Sequence, residues 1–258
     1  MPVAVKIEPR FVERVWGSLH LQPWFPNPAV KTGEVWFTAG NLLIKFLFTT
    51  EALSVQVHPD DAYARRHHGA GAAGKTEMWH ILEAAPGARI AAGFARPVSR
   101  EEVRQAALDG SIEQLLGWHT VHPGDTFLTP AGVVHALGAG LVVCEIQQNS
   151  DITYRLYDYG RGGRELHLDR GLDVAKLERH PGREPVAGER LAACEYFVTE
   201  RWTLDSPRHW DRDAALIFLE GAGTVDGREF ARGEVWQAPA GATVQPRGAV
   251  TMLRTYEP

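Results

Sequence analysis

Cysteine is scarce in this chain: Cys144 and Cys194 are the only two in 258 residues. Both sit in apolar, strand-like runs where a reduced thiol packs as a small hydrophobe, so a disulfide scaffold is excluded and a reducing cytoplasm is the expected compartment. No CxxC pair exists to build a thiolate metal site. No apolar run approaches the roughly 20 residues that a membrane helix requires, which excludes a helical membrane partner. The opening residues MPVAVKIEPRFVERVWG lack a basic segment followed by an apolar one, so export is not expected. Lys/Arg-rich blocks are also missing and the formal net charge is −5, which removes the electrostatic footprint of a nucleic-acid binder. A small anionic ligand stays compatible with that charge, because a few basic groups lining a pocket dominate at short range.

What the chain does contain is a series of short apolar segments rich in Val, Ile, Phe and Trp and punctuated by Gly, Pro, Asn and Asp. GEVWFTA, NLLIKFLF, LSVQVH, EMWHIL, ARIAAGF, DTFLTP, LVVCEIQQ and DITYRLYDY all have strand length. Many short strands predict a mainly β jelly-roll sandwich with a few short helices. One helix is expected in SREEVRQAALDGSIEQLLG, where Ser99 and Glu102 have the spacing of a capping box. A second is expected near Asp60, with Pro59 in its first turn and Gly69 as its stop. GDTFLTPAG (124–132) and GEVWQAPAG (233–241) repeat with an offset of 109, which predicts two related β units. The unit boundaries follow from composition: 1–176 with the helical segment, a polar Pro/Gly-rich linker at 177–188, and a degenerate second unit at 189–258. His135 in the first copy corresponds to Val244 in the second, so only the first unit is expected to bind metal.

Strand periodicity places the polar residues. In LSVQVHPDD, Ser54, Gln56 and His58 share one face and Val55 and Val57 the other, a pattern that an edge strand also produces. In KTEMWHIL, Glu77 shares a face with Trp79, and a carboxylate there needs a partner or a cation. His80 points the opposite way. In PAGVVHALG, His135 stands among valines, where a single histidine reads as a satisfied core residue. Two imidazoles and a carboxylate nevertheless form the ligand set of a catalytic zinc, and Gln56 is an oxygen donor able to complete it. LVVCEIQQNSDITYRLYDY reads as a hairpin that sets Arg155 mid-strand, either paired with Glu145 or aimed at an anionic ligand.

SVQVHPDD, GKTEMWHIL, PAGVVHALG and EIQQNSDITYRLYDYGR, in that order, resemble the signature blocks of type I mannose-6-phosphate isomerases, which are zinc cupins. RVWGSLHL and GEVWFTAGN resemble the opening segments of that family, and the likeness runs from about Arg14 to Gly163. Ser18 departs from the glycine common in relatives, and the chain lacks the large helical insertion of the eukaryotic enzymes, as in the compact bacterial form. The resemblance implies one Zn²⁺ per chain on Gln56, His58, Glu77 and His135. It also implies catalytic roles for Lys75, Glu145 and Arg155, and a sugar-phosphate substrate held by Ser54, Lys75 and Arg155. The implied reaction interconverts mannose 6-phosphate and fructose 6-phosphate by proton transfer through an enediol. Two other classes fit parts of the pattern: an iron oxygenase using His58, Glu77 and His135, and a sugar-binding cupin without catalysis.

Overall fold

A computed structural model describes residues 3–183 and 188–258. Its strands form four sheets arranged as two sandwiches, each pairing a six-stranded sheet with a smaller one. In the first unit the six-stranded sheet runs Arg10–Ser18, Thr32–Ala39, Leu42–Thr49, Leu141–Gln148, Glu77–Ala84, Thr126–Thr129. Facing it are Tyr154–Tyr157, Val55–Val57, His135–Leu137, Arg89–Phe94 and Leu116–Thr120. Neighbouring strands are antiparallel throughout. Trp79, Ile81, Val143 and Leu47 of one sheet meet Ile90, Ala92 and Leu137 of the other in an apolar core.

The second unit repeats the plan. Val5–Lys6, Val235–Ala238, Ala214–Glu220, Val250–Tyr256, Val198–Leu204 and Arg190–Ala193 form its large sheet. A four-stranded sheet closes over Leu216, Phe218, Trp236, Val244 and Met252. The two large sheets pack back to back, with Phe37, Phe46, Met78 and Ile146 of the first against Phe197, Ile217, Leu219 and Leu253 of the second. Strand Val5–Lys6 belongs to the second sheet through Val5↔Gln237, so the N-terminus crosses the unit division drawn from composition. The 109-residue repeat is structural: Gly124, Gly132, Gly233 and Gly241 all hold φ between 80° and 93°, a region that glycine enters without steric cost. Each pair brackets one strand, Thr126–Thr129 or Val235–Ala238.

Helix α1 spans Asp61–His68 and α2 spans Arg100–Asp109. The Ser99 hydroxyl accepts from Glu102 N, as the capping box predicts. At α1 the cap is Asp60, whose carboxylate accepts from Tyr63 N at 2.8 Å; Pro59 therefore precedes the helix instead of opening it. A third helix, α3 at Leu168–Val174, packs Leu172 beneath the small sheet and has no side-chain cap to announce it. Of the expected linker, residues 184–187 lie outside the described chain. Its first residues lie against the first unit, with Val98 N donating to Leu177 O and Phe94 bridging Arg179. No helix among the described residues is long and apolar enough to cross a membrane.

Candidate active site

Register builds the site. In antiparallel sheets, directly paired residues stand side by side on one face. In the small sheet of the first unit the pairs Arg155↔Gln56 and Gln56↔His135 therefore make one row. In the large sheet, Trp36↔Lys45↔Glu145↔Trp79 make a second row, and Gln147↔Glu77↔Thr129 a third. Both sheets turn these rows toward the interior of the sandwich, and the alternating Val55 and Val57 go to the apolar cluster on the outer side. Residues far apart in the chain thus converge without any local motif connecting them.

His58, Glu77 and His135 are all buried, and one donor atom from each lies within 4.8 Å of the others. Both imidazoles are oriented from behind. His58 Nδ1 donates to Ile152 O at 2.8 Å and His135 Nδ1 donates to Val133 O at 2.9 Å. Those carbonyl partners fix the proton on Nδ1, leaving the Nε2 lone pairs to face Glu77 at 3.6 and 3.2 Å. Burial depresses the basicity of both rings, to about 3 for His135, so they are neutral at pH 7, the form that binds a metal.

Burial would protonate Glu77, but the Lys75 ammonium overrules it and holds the carboxyl well below its usual range. Its Oε2 has the Lys75 ammonium at 2.7 Å, while Oε1 has no hydrogen-bond donor. Two lone-pair nitrogens and a carboxylate converge within 4.8 Å of one another, and this donor set suits a single metal ion. Gln56 stands beside it with Nε2 3.2 Å from His135 Nε2, while its Oε1 accepts from Ser54 Oγ at 3.1 Å. As oriented, the amide turns its NH2 toward the histidines; a half-turn about its last bond exchanges the two ends.

Above this floor opens a cavity of about 420 Å³ whose walls include Ser54, Gln56, Lys75, Glu145 and Arg155. Of the eight residues singled out in the sequence, five line this cavity, and His58, Glu77 and His135 lie behind it, in contact with Lys75 and Gln56. The Lys75 ammonium bridges the layers, 3.1 Å from His58 Nε2 and 4.0 Å from Glu145 Oε1. Its burial favours the neutral amine, but Glu77 and Glu145 outweigh that and raise its pKa.

The hairpin reading fails, and with it one of the two alternatives for Arg155: it does not pair with Glu145, because Leu141–Gln148 has Leu42–Thr49 on one side and Glu77–Ala84 on the other and no edge is free for a hairpin. Tyr154–Tyr157 crosses to the opposite sheet. Arg155 donates to Glu165 O at 2.9 Å, and its buried Nε has no partner. Glu145 is held instead by Lys45 at 3.0 Å and by Trp79 Nε1 at 3.0 Å.

Lys45 is the residue that the sequence reading missed. It is 1% exposed, lies over the Trp36 ring at 4.8 Å and lines the cavity. Its signal was a lysine inside the apolar run LLIKFLF. Arg164 and His167 also line the cavity, on a segment without periodicity to flag them. His80 faces away as expected, bonded to Thr126 Oγ1 at 2.9 Å.

No protein-family model matches the chain. Among curated proteins it is 32% identical to the mannose-6-phosphate isomerase ManA of Bacillus subtilis, over 86% of this chain and 87% of the relative. The crystal structure of the mannose 6-phosphate isomerase from Bacillus subtilis superposes with a TM-score of 0.87 at 26% identity, covering 99% of this chain and 100% of that one. A zinc-bound mannose 6-phosphate isomerase shares the fold at 16% identity, with a TM-score of 0.77 over 99% and 100% of the two chains.

Proposed function

The chain belongs to the mannose-6-phosphate isomerase family and is an isomerase; from that premise we propose that it interconverts mannose 6-phosphate and fructose 6-phosphate with one zinc ion held by His58, Glu77, His135 and Gln56. The observation that carries this reading is the convergence of two neutral imidazoles and a buried carboxylate next to a cavity whose wall presents Lys75 and Arg155. Zinc is the natural occupant because the donors are nitrogen and oxygen and the reaction needs no redox change. When bound, the dication supplies Lewis-acid stabilisation of negative charge on a sugar oxygen.

The chain's own residues do the rest. Arg155 and Lys75 meet the anionic substrate at the cavity wall, with Ser54 beside them. The Lys75 ammonium offsets charge that develops at O1 or O2 as a proton leaves carbon. Glu145, clasped by Lys45 and Trp79, carries the proton between C1 and C2. A dioxygen-activating site would gain nothing from these lysines and arginine, whereas a sugar phosphate does.

The test is a coupled assay for fructose 6-phosphate formed from mannose 6-phosphate, before and after chelation and after zinc is restored. Activity that disappears with chelator and returns with zinc is the expected result. Metal-replete protein without turnover would overturn the substrate assignment.

A further inference from the structure

We propose that Gln148, bridged to Asp61, is a positioning residue that sets Lys75 and Glu77 against the two histidines; the claim rests on reading His58, Glu77 and His135 as the metal site. Lys75 and Glu77 flank Thr76, so whatever fixes the backbone of Thr76 fixes where both charged side chains emerge. Gln148 fixes it at both ends. Its Oε1 accepts from Thr76 N at 2.9 Å, and its own backbone N–H donates to Thr76 O at 3.1 Å. The remaining amide end, Nε2, donates to Asp61 Oδ1 at 2.9 Å. That same oxygen accepts from Gly74 N at 2.7 Å, one residue before Lys75.

The clamp reaches every strand that supplies a donor. Lys75 N donates to Pro59 O, the residue after His58, and Ala131 N donates to Thr76 Oγ1 in the turn leading to His135. Gly74 is obligatory in this packing, since a Cβ there would fall 2.6 Å from Asp60 C and Asp61 N. Gln148 is 5% exposed and spends both ends of its amide on the clamp, while the cavity itself touches neither. Asp61 is anchored in turn at the first position of α1 and by Arg65 at 3.1 Å. Side chains that orient a metal ligand from behind are typically worth about 10- to 100-fold in affinity or activity.

The experiment compares Gln148→Met, which keeps the bulk and loses both hydrogen bonds, with Gln148→Glu, which keeps the acceptor for Thr76 N. Zinc affinity is read by competition with a chromophoric chelator, alongside Tm and the kcat and KM for mannose 6-phosphate. Gln148→Met is expected to weaken zinc about 10- to 100-fold and lower kcat with KM within about twofold. Gln148→Glu is expected to stay within about threefold of the parent in affinity and kcat even though its Tm falls, because it faces Asp61. Wild-type zinc affinity in Gln148→Met, or losses in both variants that simply track Tm, would overturn the proposal. If the parent protein binds zinc but does not turn over mannose 6-phosphate, the substrate reading fails by itself and the zinc titration still decides the role of Gln148.

Discussion

The two sandwiches place different chemistry at equivalent points of one framework. Using the repeat, Glu77 opposite Thr129 corresponds to Ala214 opposite Ala238, and Gln56 opposite His135 to Arg208 opposite Val244. Every residue of the proposed metal site traced this way has been replaced in the second unit. The row Lys45–Glu145–Trp79 corresponds to Glu200–Arg254–Leu216, an ion pair of reversed sign. Arg254 there is neutralised twice, by Glu200 at 3.3 Å and Asp211 at 2.7 Å, and packs over Trp210 and Tyr256. The framework therefore tolerates a buried pair at this point in either polarity, whereas the clustered donors of the first unit have no counterpart in the second.

The sharpest way to break this contrast is to copy the second unit into the first. His135→Val is expected to abolish zinc retention and cut turnover at least about a thousandfold, with Tm equal to or above that of the metal-free parent, as measured by metal analysis, the coupled assay and thermal melting. The converse damage belongs to the second unit. Phe218 stacks on Phe230 with ring centroids 3.7 Å apart, so Phe218→Ala should cost about 3–5 kcal/mol in urea unfolding while zinc affinity and kcat of the folded enzyme stay at parent values. Loss of activity in step with zinc affinity would show that the units are not separable. The reversed ion pairs differ in how many partners remain. Lys45→Met leaves Glu145 buried beside a more distant Lys75 and should cost about 3 kcal/mol; Glu200→Met leaves Arg254 with Asp211 and should cost about 1 kcal/mol. Equal costs in urea titrations would dissolve the distinction.

Much of this was legible one strand at a time. Period-2 alternation put Gln56 and His58 on the face opposite Val55 and Val57, and it separated Glu77 from His80, because both follow from local geometry. The repeat at 124–132 and 233–241 was legible because glycines at positive φ leave a chemical mark. Pairings between strands were not. The row Arg155–Gln56–His135 joins Gln56 to residues 79 and 99 positions away by register alone, and no single segment encodes it. The hairpin, and with it the Arg155–Glu145 alternative, failed for that reason: the strand bearing Glu145 already has neighbours on both edges. Lys45 was passed over because its carboxylate partner lies on another strand, and α3 because its cap uses no side chain.

An effect confined to acid pH isolates one position on the shared face between the sandwiches. His80 pairs with Thr126 in the first large sheet, and the repeat maps it to Ile217, which pairs with Val235 in the second. Burial first, and then the Arg201 charge, pull His80 down to about 4 from its ordinary 6.5. A depressed histidine binds more protons in the unfolded chain than in the folded one between those two values. Its contribution is therefore complete above pH 6.5 and is lost as pH falls toward 4, amounting to about 2 kcal/mol of lost stability at pH 5. His80→Ile should remove that share of the acid sensitivity while leaving kcat at pH 7.5 unchanged. Urea titrations of parent and variant at pH 7.5 and pH 5 measure the difference; parallel pH slopes would mean that His80 is already protonated in the fold, and that the two large sheets meet through a charged contact on one side.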